Sequence, residues 1–481
     1  PGLVFSLFTR VGVRPRAAWH WMWLLPTGYC YLLQAGSIAN DMFSTVYALA
    51  AIDYALRARQ SRRISDVCLS ILSASLLIGA KASNLPLLLP WAIALLPTWR
   101  LWLARPLALL AVIPFSLGAS FLPTAVLNRA HCGDWTGAAA EHMNVGAGPL
   151  WLHLLGNGIN WTLHNIVPPV FPMASAWNRA ADAMTPASLR TLMEEHFEPV
   201  AAHWRLPELQ VEEQAGLGFG VTVLVGLSVL AVILGRKRLA RPAAARPVDP
   251  IGLLICLASW VSLLYAMTKL NLSGGPRYLA NYYCLLSMGL LLSPAQAVLV
   301  RARWWRSCAF VAFGLAGLLL FISPSRPLWP AGWFVQHYGP RLKSSKLGSV
   351  AINAYETKSH RSDLFEPFIA ALPPDATILG FGADDFPESS LWKPFGARRI
   401  LHVKVTESGE EMRQRGIKYV LVTSDRLKEP WPEWLQRTNA RELHTETLKI
   451  WGGLPPFTWH LVELKPLDAN PNPSNPQPKQ A

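Results

Sequence analysis

The stretch PIGLLICLASWVSLLYAMT, residues 250–268, decides the class of fold to which this chain belongs. Its nineteen residues include no charged side chain, and a helix of about 20 apolar residues spans the roughly 30 Å of hydrocarbon in a bilayer. Such a run must be helical in lipid, because the bilayer core offers no partners to free backbone N–H and C=O groups. The stretch therefore predicts a transmembrane helix.

Similar runs recur along the chain. Hydrophobic residues make up 51% of the 481 residues and charged residues only 15%, with a mean hydropathy of +0.24; a soluble domain carries about 25% charged residues. We predict an α-helical polytopic membrane domain with a partial first helix, followed by about nine spans, at 17–36, 40–56, 64–82, 85–98, 106–127, 216–235, 250–268, 278–299 and 308–322.

The formal net charge of +14 indicates membrane topology and no nucleic-acid partner. The arginines cluster in short connections such as 57–63 and 236–246, and all arginine-rich connections fall on one side if the predicted spans alternate. The basic side is cytoplasmic by the positive-inside rule. We therefore predict a multi-pass protein of the bacterial inner membrane, in which the 128–215 loop and all residues after 323 are periplasmic or external.

The carboxyl-terminal part of the sequence has a different character. ATILGF (376–381), RRILHVKV (398–405) and KYVLVTS (418–424) read as short buried strands that alternate with helical stretches. We predict a transmembrane domain over 1–322, a linker over 323–345, an external α/β domain over 346–466 and a disordered tail over 467–481.

The 128–215 loop contains a helical pattern of its own. Within WLHLLGNGINWTLHNIV (151–167), four polar residues recur at helical spacing: His153, Asn157, Asn160 and His164. We interpret this stripe as the wet side of an interfacial helix. A contact with an acceptor or a metal, for the stripe or for Glu141 and His142, is the alternative.

Polar side chains at the predicted outer ends of the spans are the candidate functional residues. They are Gln34, Asn40, Asp41, Lys81, Lys269 and Arg277. The cations oppose the positive-inside bias, so an anionic headgroup or phosphate is one explanation for them. Snorkelling to the interface is the other, and we prefer it for Lys269. For Asp41, a helix-start role with Asn40 as N-cap competes with a role as base or orienting group.

Two stretches resemble bacterial glycosyltransferases of the C-type membrane fold. The first runs from QAGSIANDMFSTVYALAAIDYALRARQSRR (34–63) to LLIGAKASNLPLLLP (76–90), and the second is GGPRYLANYYCLLSMGLLL (274–292). Asp41 matches an acid that opens a span, Lys81 matches a lysine at the end of the next span, and Arg277 with Tyr278 matches a later Arg-Tyr pair. Ala80 replaces the family's threonine.

The resemblance implies transfer of a sugar from a polyprenyl-phosphate donor to a glycan, lipid or protein acceptor on the external face. It implies that Asp41 is a secondary catalytic acid, and that Lys81, Arg277, Tyr278, Asn40 and Gln34 bind substrate or phosphate. No nucleotide cofactor is expected, and a divalent metal is left open. Because the chain begins at Pro1 within an apolar stretch, we expect an amino-terminal truncation that removes the family's main catalytic loop. A non-catalytic lipid or glycan transport or envelope-assembly protein is the alternative function.

Overall fold

The computed structural model describes residues 1–35, 40–136, 148–197, 199–234, 249–269, 272–359, 363–383, 386–450 and 456–466. The chain divides into two compact units, Pro1–Pro330 and Ala331–Ala481. The first is mainly helical in its described part, with one isolated β-bridge between Val170 and Leu209, and the second contains a small sheet. The predicted combination of a helical domain with a carboxyl-terminal α/β domain is confirmed at this level.

The first unit consists of short and medium helices. In chain order its α-helices are α1 Gly2–Arg10, α2 Pro15–Leu24, α3 Tyr29–Gln34, α4 Asp41–Ser61, α5 Ile64–Ala80, α6 Leu88–Leu95, α7 Trp99–Ala104, α8 Pro106–Gly118, α9 Phe121–Cys132, α10 Leu150–Ile166, α11 Ala174–Met184, α12 Ala187–His196, α13 Pro199–Ala202, α14 Gly218–Leu234, α15 Pro250–Lys269, α16 Ala280–Leu291, α17 Pro294–Leu299 and α18 Arg303–Ile322.

The number of long apolar helices is smaller than the nine predicted spans. Among the described residues, three helices are long and apolar enough to cross a membrane, and a fourth is obtained if α8 and α9, which meet at a bend of 48°, form one span. The three are Ala82–Ala104 (which includes α6 and α7), α15 and α18. The helical class is confirmed, but the described helices provide three or four candidate spans in place of the predicted nine or so.

Three features of the sequence account for the difference. The predicted span 17–36 is interrupted by a 3₁₀ turn at Leu25–Thr27, and the predicted span 278–299 is interrupted at Ser293. Helices α5 and α14 are apolar but have only seventeen residues each. Helix α4 is long enough, but it carries four charged side chains, which are Asp41, Asp53, Arg57 and Arg59. Turns, short lengths and charged residues therefore each reduce the number of helices that are long and apolar enough to count as spans.

Helices α4 and α5 form a tight pair around the connection at Arg62, which adopts a left-handed conformation. At this arginine-rich end, buried carboxylates pair with the cations: Arg10 lies 3.0 Å from Asp53, and Arg57 lies 3.2 Å from Asp66. The arginines of this end are thus partly neutralised within the fold. The opposite end of the pair holds Asp41 and Lys81.

Helix α10 confirms the predicted helix but reverses its predicted orientation. His153, Asn157, Asn160 and His164 are all buried, whereas Trp151 on the same helix is 54% exposed. Asn157 donates a hydrogen bond to the carbonyl of Met267, and Asn160 donates one to the carbonyl of Ala201. The interpretation of this stripe as the wet side was wrong, because the amide side chains satisfy backbone carbonyls inside the unit and leave apolar residues outside.

The second unit contains a five-stranded sheet flanked by helices. Its elements are α19 Ala331–Leu342, α20 Lys346–Ser359, α21 Glu366–Ala371, β1 Ile378–Gly382, β2 Arg399–His402, α22 Gly409–Gln414, β3 Tyr419–Thr423, α23 Trp431–Thr438, β4 Ala440–Leu448 and β5 Phe457–Leu464. The strand order is β2-β1-β3-β5-β4, in which β1, β2 and β3 are parallel and β5 is antiparallel to β3 and β4.

The predicted strands and the α/β alternation of this unit are confirmed. Two details differ or are untested. Helix α19 lies within the segment 323–345 that we predicted to be a linker. The predicted disordered tail, 467–481, lies outside the described residues.

Both faces of the sheet carry a core. On one face, the Trp459 ring packs 4.7 Å from the Phe365 ring and 5.7 Å from the Phe381 ring, measured between centroids. On the other face, Val422 packs with Trp434 of α23. The sheet is therefore the middle layer of three.

Truncation of the central aromatic side chain tests this packing. Trp459 is fully buried, so Trp459→Ala is expected to lower the free energy of unfolding of the second unit by about 3–5 kcal/mol. Trp392→Ala is the matched control, because Trp392 is 40% exposed and its loss should cost roughly 0.5 kcal/mol or less. Pulse proteolysis in urea, followed by cleavage within 331–466, measures both. Equal losses would contradict this packing.

Candidate functional site at the Asp41 end of helices α4 and α5

The antiparallel pairing of α4 and α5 brings an acid and a base together. Asp41 is the first residue of α4, and Lys81 directly follows the last residue of α5. The Lys81 ammonium donates a hydrogen bond to the Asp41 carboxylate, with 3.1 Å between Nζ and Oδ1. The Asp41 side chain is only 7% exposed, whereas that of Lys81 is 27% exposed. The carboxylate is thus held inside the unit and the cation at its edge.

A second cation reaches the same carboxylate from a distant part of the sequence. The 3₁₀ segment Leu272–Leu279, which precedes α16, carries Arg277 and Tyr278. The Arg277 Nε atom lies 3.9 Å from Asp41 Oδ2, and an Arg277 Nη2 hydrogen bond reaches the Tyr278 hydroxyl at 3.3 Å. Arg277 thus approaches the carboxylate oxygen that Lys81 does not contact.

The Tyr278 ring links the two cations. Lys81 Nζ lies 3.8 Å from the centroid of this ring, and the Arg277 guanidinium carbon lies 5.0 Å from it. Cations are attracted to the negative face of an aromatic ring at such distances. Asp41, Lys81, Arg277 and Tyr278 thus form one contiguous group, which we name the Asp41 cluster.

The other two candidate residues have different positions. Asn40 stands at the N-cap position of α4, but its side chain makes no capping hydrogen bond and donates instead to the carbonyl of Ala80. The predicted N-cap position of Asn40 is confirmed, but its side chain ties the start of α4 to the end of α5. Gln34 donates to the carbonyl of Glu212 at 3.4 Å. Its described hydrogen bond is thus to the segment around Glu212 and not to a residue of the Asp41 cluster.

A layer of neutral polar residues beside Asp41 was missed in the sequence. The Asn281 side-chain amide donates to Asn84 Oδ1 at 2.6 Å, and Asn84 Nδ2 donates to the Ser44 hydroxyl at 2.8 Å. All three are buried. Their sequence signal is their spacing: Ser44 and Asn84 each follow a cluster residue by three positions, and Asn281 follows Arg277 by four. Buried polar groups are normally satisfied by hydrogen bonds. The hydrogen bonds among these three side chains therefore hold together the elements that carry the cluster.

The charges of the cluster define its chemistry. Two cations surround one carboxylate, and Glu213 also acts electrostatically on Arg277. A guanidinium offers a fork of N–H donors that matches phosphate oxygens, and an ammonium offers a compact charge beside it. The arrangement suits an anion with several oxygens that approaches the accessible side of Lys81.

The remaining sequence candidates add no described contact to this site. Among the described residues, no group of three or more His, Cys, Asp or Glu side chains has the geometry of a metal site. Glu141 and His142 lie outside the described residues. Lys269 ends α15.

Comparison with known proteins identified no relative from which a role for this site could be inferred. The chain matches no protein-family model, no curated protein and no solved structure. The contacts of the Asp41 cluster and the chemistry of its residues therefore carry the functional argument.

A double-mutant cycle tests whether Lys81 neutralises Asp41. Lys81→Met leaves a buried carboxylate with only the longer Arg277 contact, and we expect a loss of about 1–3 kcal/mol, less than for a fully buried pair because Lys81 is partly exposed. Adding Asp41→Asn removes the uncompensated charge, so the double variant should be more stable than Lys81→Met alone. Thermal unfolding of the protein in detergent measures both, with Lys269→Met as control. Strictly additive losses would contradict the pairing.

Proposed function

We propose that this protein is a bacterial inner-membrane glycosyltransferase, which moves a sugar from a polyprenyl-phosphate donor to an acceptor on the external face. The proposal combines the sequence resemblance with one structural observation. That observation is the convergence of Lys81 and Arg277 on the Asp41 carboxylate, with the Tyr278 ring against both cations. Three segments far apart in the sequence meet there.

Exposed apolar surface supports a position in the membrane. Leu103, Leu107 and Phe310 are each more than 70% exposed, and soluble proteins rarely expose large contiguous apolar patches. In a bilayer these side chains contact lipid. We include α5 and α14 among the crossing helices, because seventeen residues reach about 26 Å and fall at the lower end of the range for spans.

The two cations of the Asp41 cluster match the negative charge of the phosphate in a lipid-linked donor. In this proposal Lys81 and Arg277 bind the phosphate oxygens, and the Tyr278 ring holds the two cations on one side. Asp41 acts on the cations by fixing their positions, which is a secondary role for an acid. Preorganised cations of this kind stabilise the charge that develops on a leaving phosphate.

The reaction follows from the donor chemistry. The bond between the anomeric carbon and the donor phosphate breaks, the acceptor oxygen bonds to the same carbon with inversion, and the acceptor proton passes to a carboxylate base. The charge on the departing lipid phosphate is greatest as this bond breaks. Lys81 and Arg277 are the residues placed to stabilise it.

Membranes that contain the protein expressed from its own gene provide the test. With a radiolabelled polyprenyl-phosphate sugar as donor, Arg277→Ala is expected to lower the transfer rate by about 10²–10³-fold, the usual effect of one lost stabilising donor. Arg277→Lys should retain part of the rate, since it keeps the charge but loses the fork. Lys269→Ala is the matched control and should change the rate less than about twofold.

Two outcomes would overturn parts of the proposal. Full transfer activity in both Asp41→Asn and Arg277→Ala would show that the Asp41 cluster is not the phosphate site. A second outcome would favour the non-catalytic transport or assembly alternative. In it, membranes with the unaltered protein bind the donor but form no glycan product, and Arg277→Ala abolishes that binding.

A further inference from the structure

The second unit holds a side-chain arrangement that the proposed function does not use. Ser424 directly follows strand β3, at the carboxyl end of the parallel part of the sheet, and His460 lies on the neighbouring strand β5 beside Val422. Glu442 lies on β4, the strand that pairs with β5 on its other side. Antiparallel pairing through β5 therefore brings a hydroxyl, an imidazole and a carboxylate into one row.

The distances within this row are those of hydrogen bonds. Ser424 Oγ lies 3.0 Å from His460 Nε2, and His460 Nδ1 lies 3.1 Å from Glu442 Oε2. The imidazole is buried, whereas Ser424 is partly exposed. The nucleophile is thus partly accessible, the base is shielded, and Glu442 at the far end of the row is exposed.

The surrounding hydrogen bonds fix the tautomer of His460. Thr445 uses its hydroxyl proton on Glu442 Oε1, and its oxygen lies 3.0 Å from His460 Nδ1. Both groups that face Nδ1 therefore accept a hydrogen bond, so Nδ1 carries the proton. In the neutral ring, the lone pair is then on Nε2 and points at the Ser424 hydroxyl.

The surroundings also favour the reactive charge states. Burial lowers the pKa of His460, and Glu442 and Asp425 offset part of that shift, so the ring is neutral at neutral pH. Partial desolvation would raise the pKa of the exposed Glu442 carboxyl, but hydrogen bonds from Thr445 and Trp431 bring it below its usual value. The row then holds a neutral base and an ionised acid.

Trp431 holds the imidazole and the acid in place. Its ring stacks on the His460 ring with 3.9 Å between centroids, and its indole N–H donates to Glu442 Oε2 at 2.8 Å. In activated serine nucleophiles, the histidine base is held in place by an acidic residue. His460 and Glu442 have this relation here. Ser424 lacks the flanking glycines of a nucleophile elbow and instead begins a 3₁₀ turn, Ser424–Arg426.

We propose that Ser424, His460 and Glu442 form a second active site, in the α/β unit, which cleaves carboxylic esters through a covalent acyl-serine. Ser424 Oγ bonds to the ester carbonyl carbon as its proton passes to His460 Nε2. The ester C–O bond then breaks, and the imidazolium returns the proton to the leaving alcohol. Water hydrolyses the acyl-serine by the same proton route. Glu442 acts as a positioning residue that stabilises the imidazolium.

Covalent labelling of the purified full chain with a fluorophosphonate probe tests the site. Mass spectrometry of the modified peptide should place the label on Ser424, and Ser424→Ala should abolish it. Ser344→Ala, which removes an exposed serine of the same unit, is the matched control and should leave the label unchanged. Asp41→Asn should also label normally, because this site is independent of the glycosyltransferase proposal.

The base is tested by the labelling rate. His460→Gln is expected to slow labelling of Ser424 by about 100-fold or more. Glu442→Gln, which keeps the size of the side chain, should slow it as well and serves if His460→Gln fails to fold. A folded protein that is not labelled at Ser424, or a labelling rate that neither substitution changes, would show that the row is only a structural hydrogen-bond chain.

Discussion

The burial of the Asp41 carboxylate is the constraint on which the arrangement of the helical unit depends. A buried charge is costly unless cations and hydrogen bonds compensate it, and here the compensation comes from two separate segments. Lys81 neutralises one oxygen from the end of α5, and Arg277 approaches the other from the segment before α16. Three elements must therefore meet at this point, and the chain through Ser44, Asn84 and Asn281 fixes their approach.

Local patterns in the sequence predict most of what is local in the structure. The strands of the second unit follow from short apolar runs between turn signals, and the ends of α4 and α5 follow from the charges and turns around them. The grouping of Asp41 with Lys81 follows from two helices joined by a short connection. The approach of Arg277 is a long-range contact, which the predicted topology and the sequence resemblance indicated and local patterns did not.

The errors have physical causes that periodicity does not reveal. Apolar content predicts a span, but the turn at Leu25–Thr27 and the charges of α4 break or dilute that content. A polar stripe marks one face of α10 without saying whether water or protein covers it. In this unit backbone carbonyls such as that of Met267 accept hydrogen bonds from the stripe. The row of Ser424, Glu442 and His460 is likewise assembled by strand pairing. The spacing of these residues in the sequence therefore does not predict that they meet.

The most direct measurement of the central claim is the sidedness of the two ends of the α4–α5 pair. Single cysteines at Ala82, which is exposed near the Asp41 cluster, and at Arg63, which is exposed at the arginine-rich end, can be placed in a protein whose native cysteines are replaced. A membrane-impermeant maleimide added to intact cells should label the cysteine at 82, and should label the one at 63 only after the membrane is opened. The reverse pattern would put the Asp41 cluster on the cytoplasmic side and contradict the account.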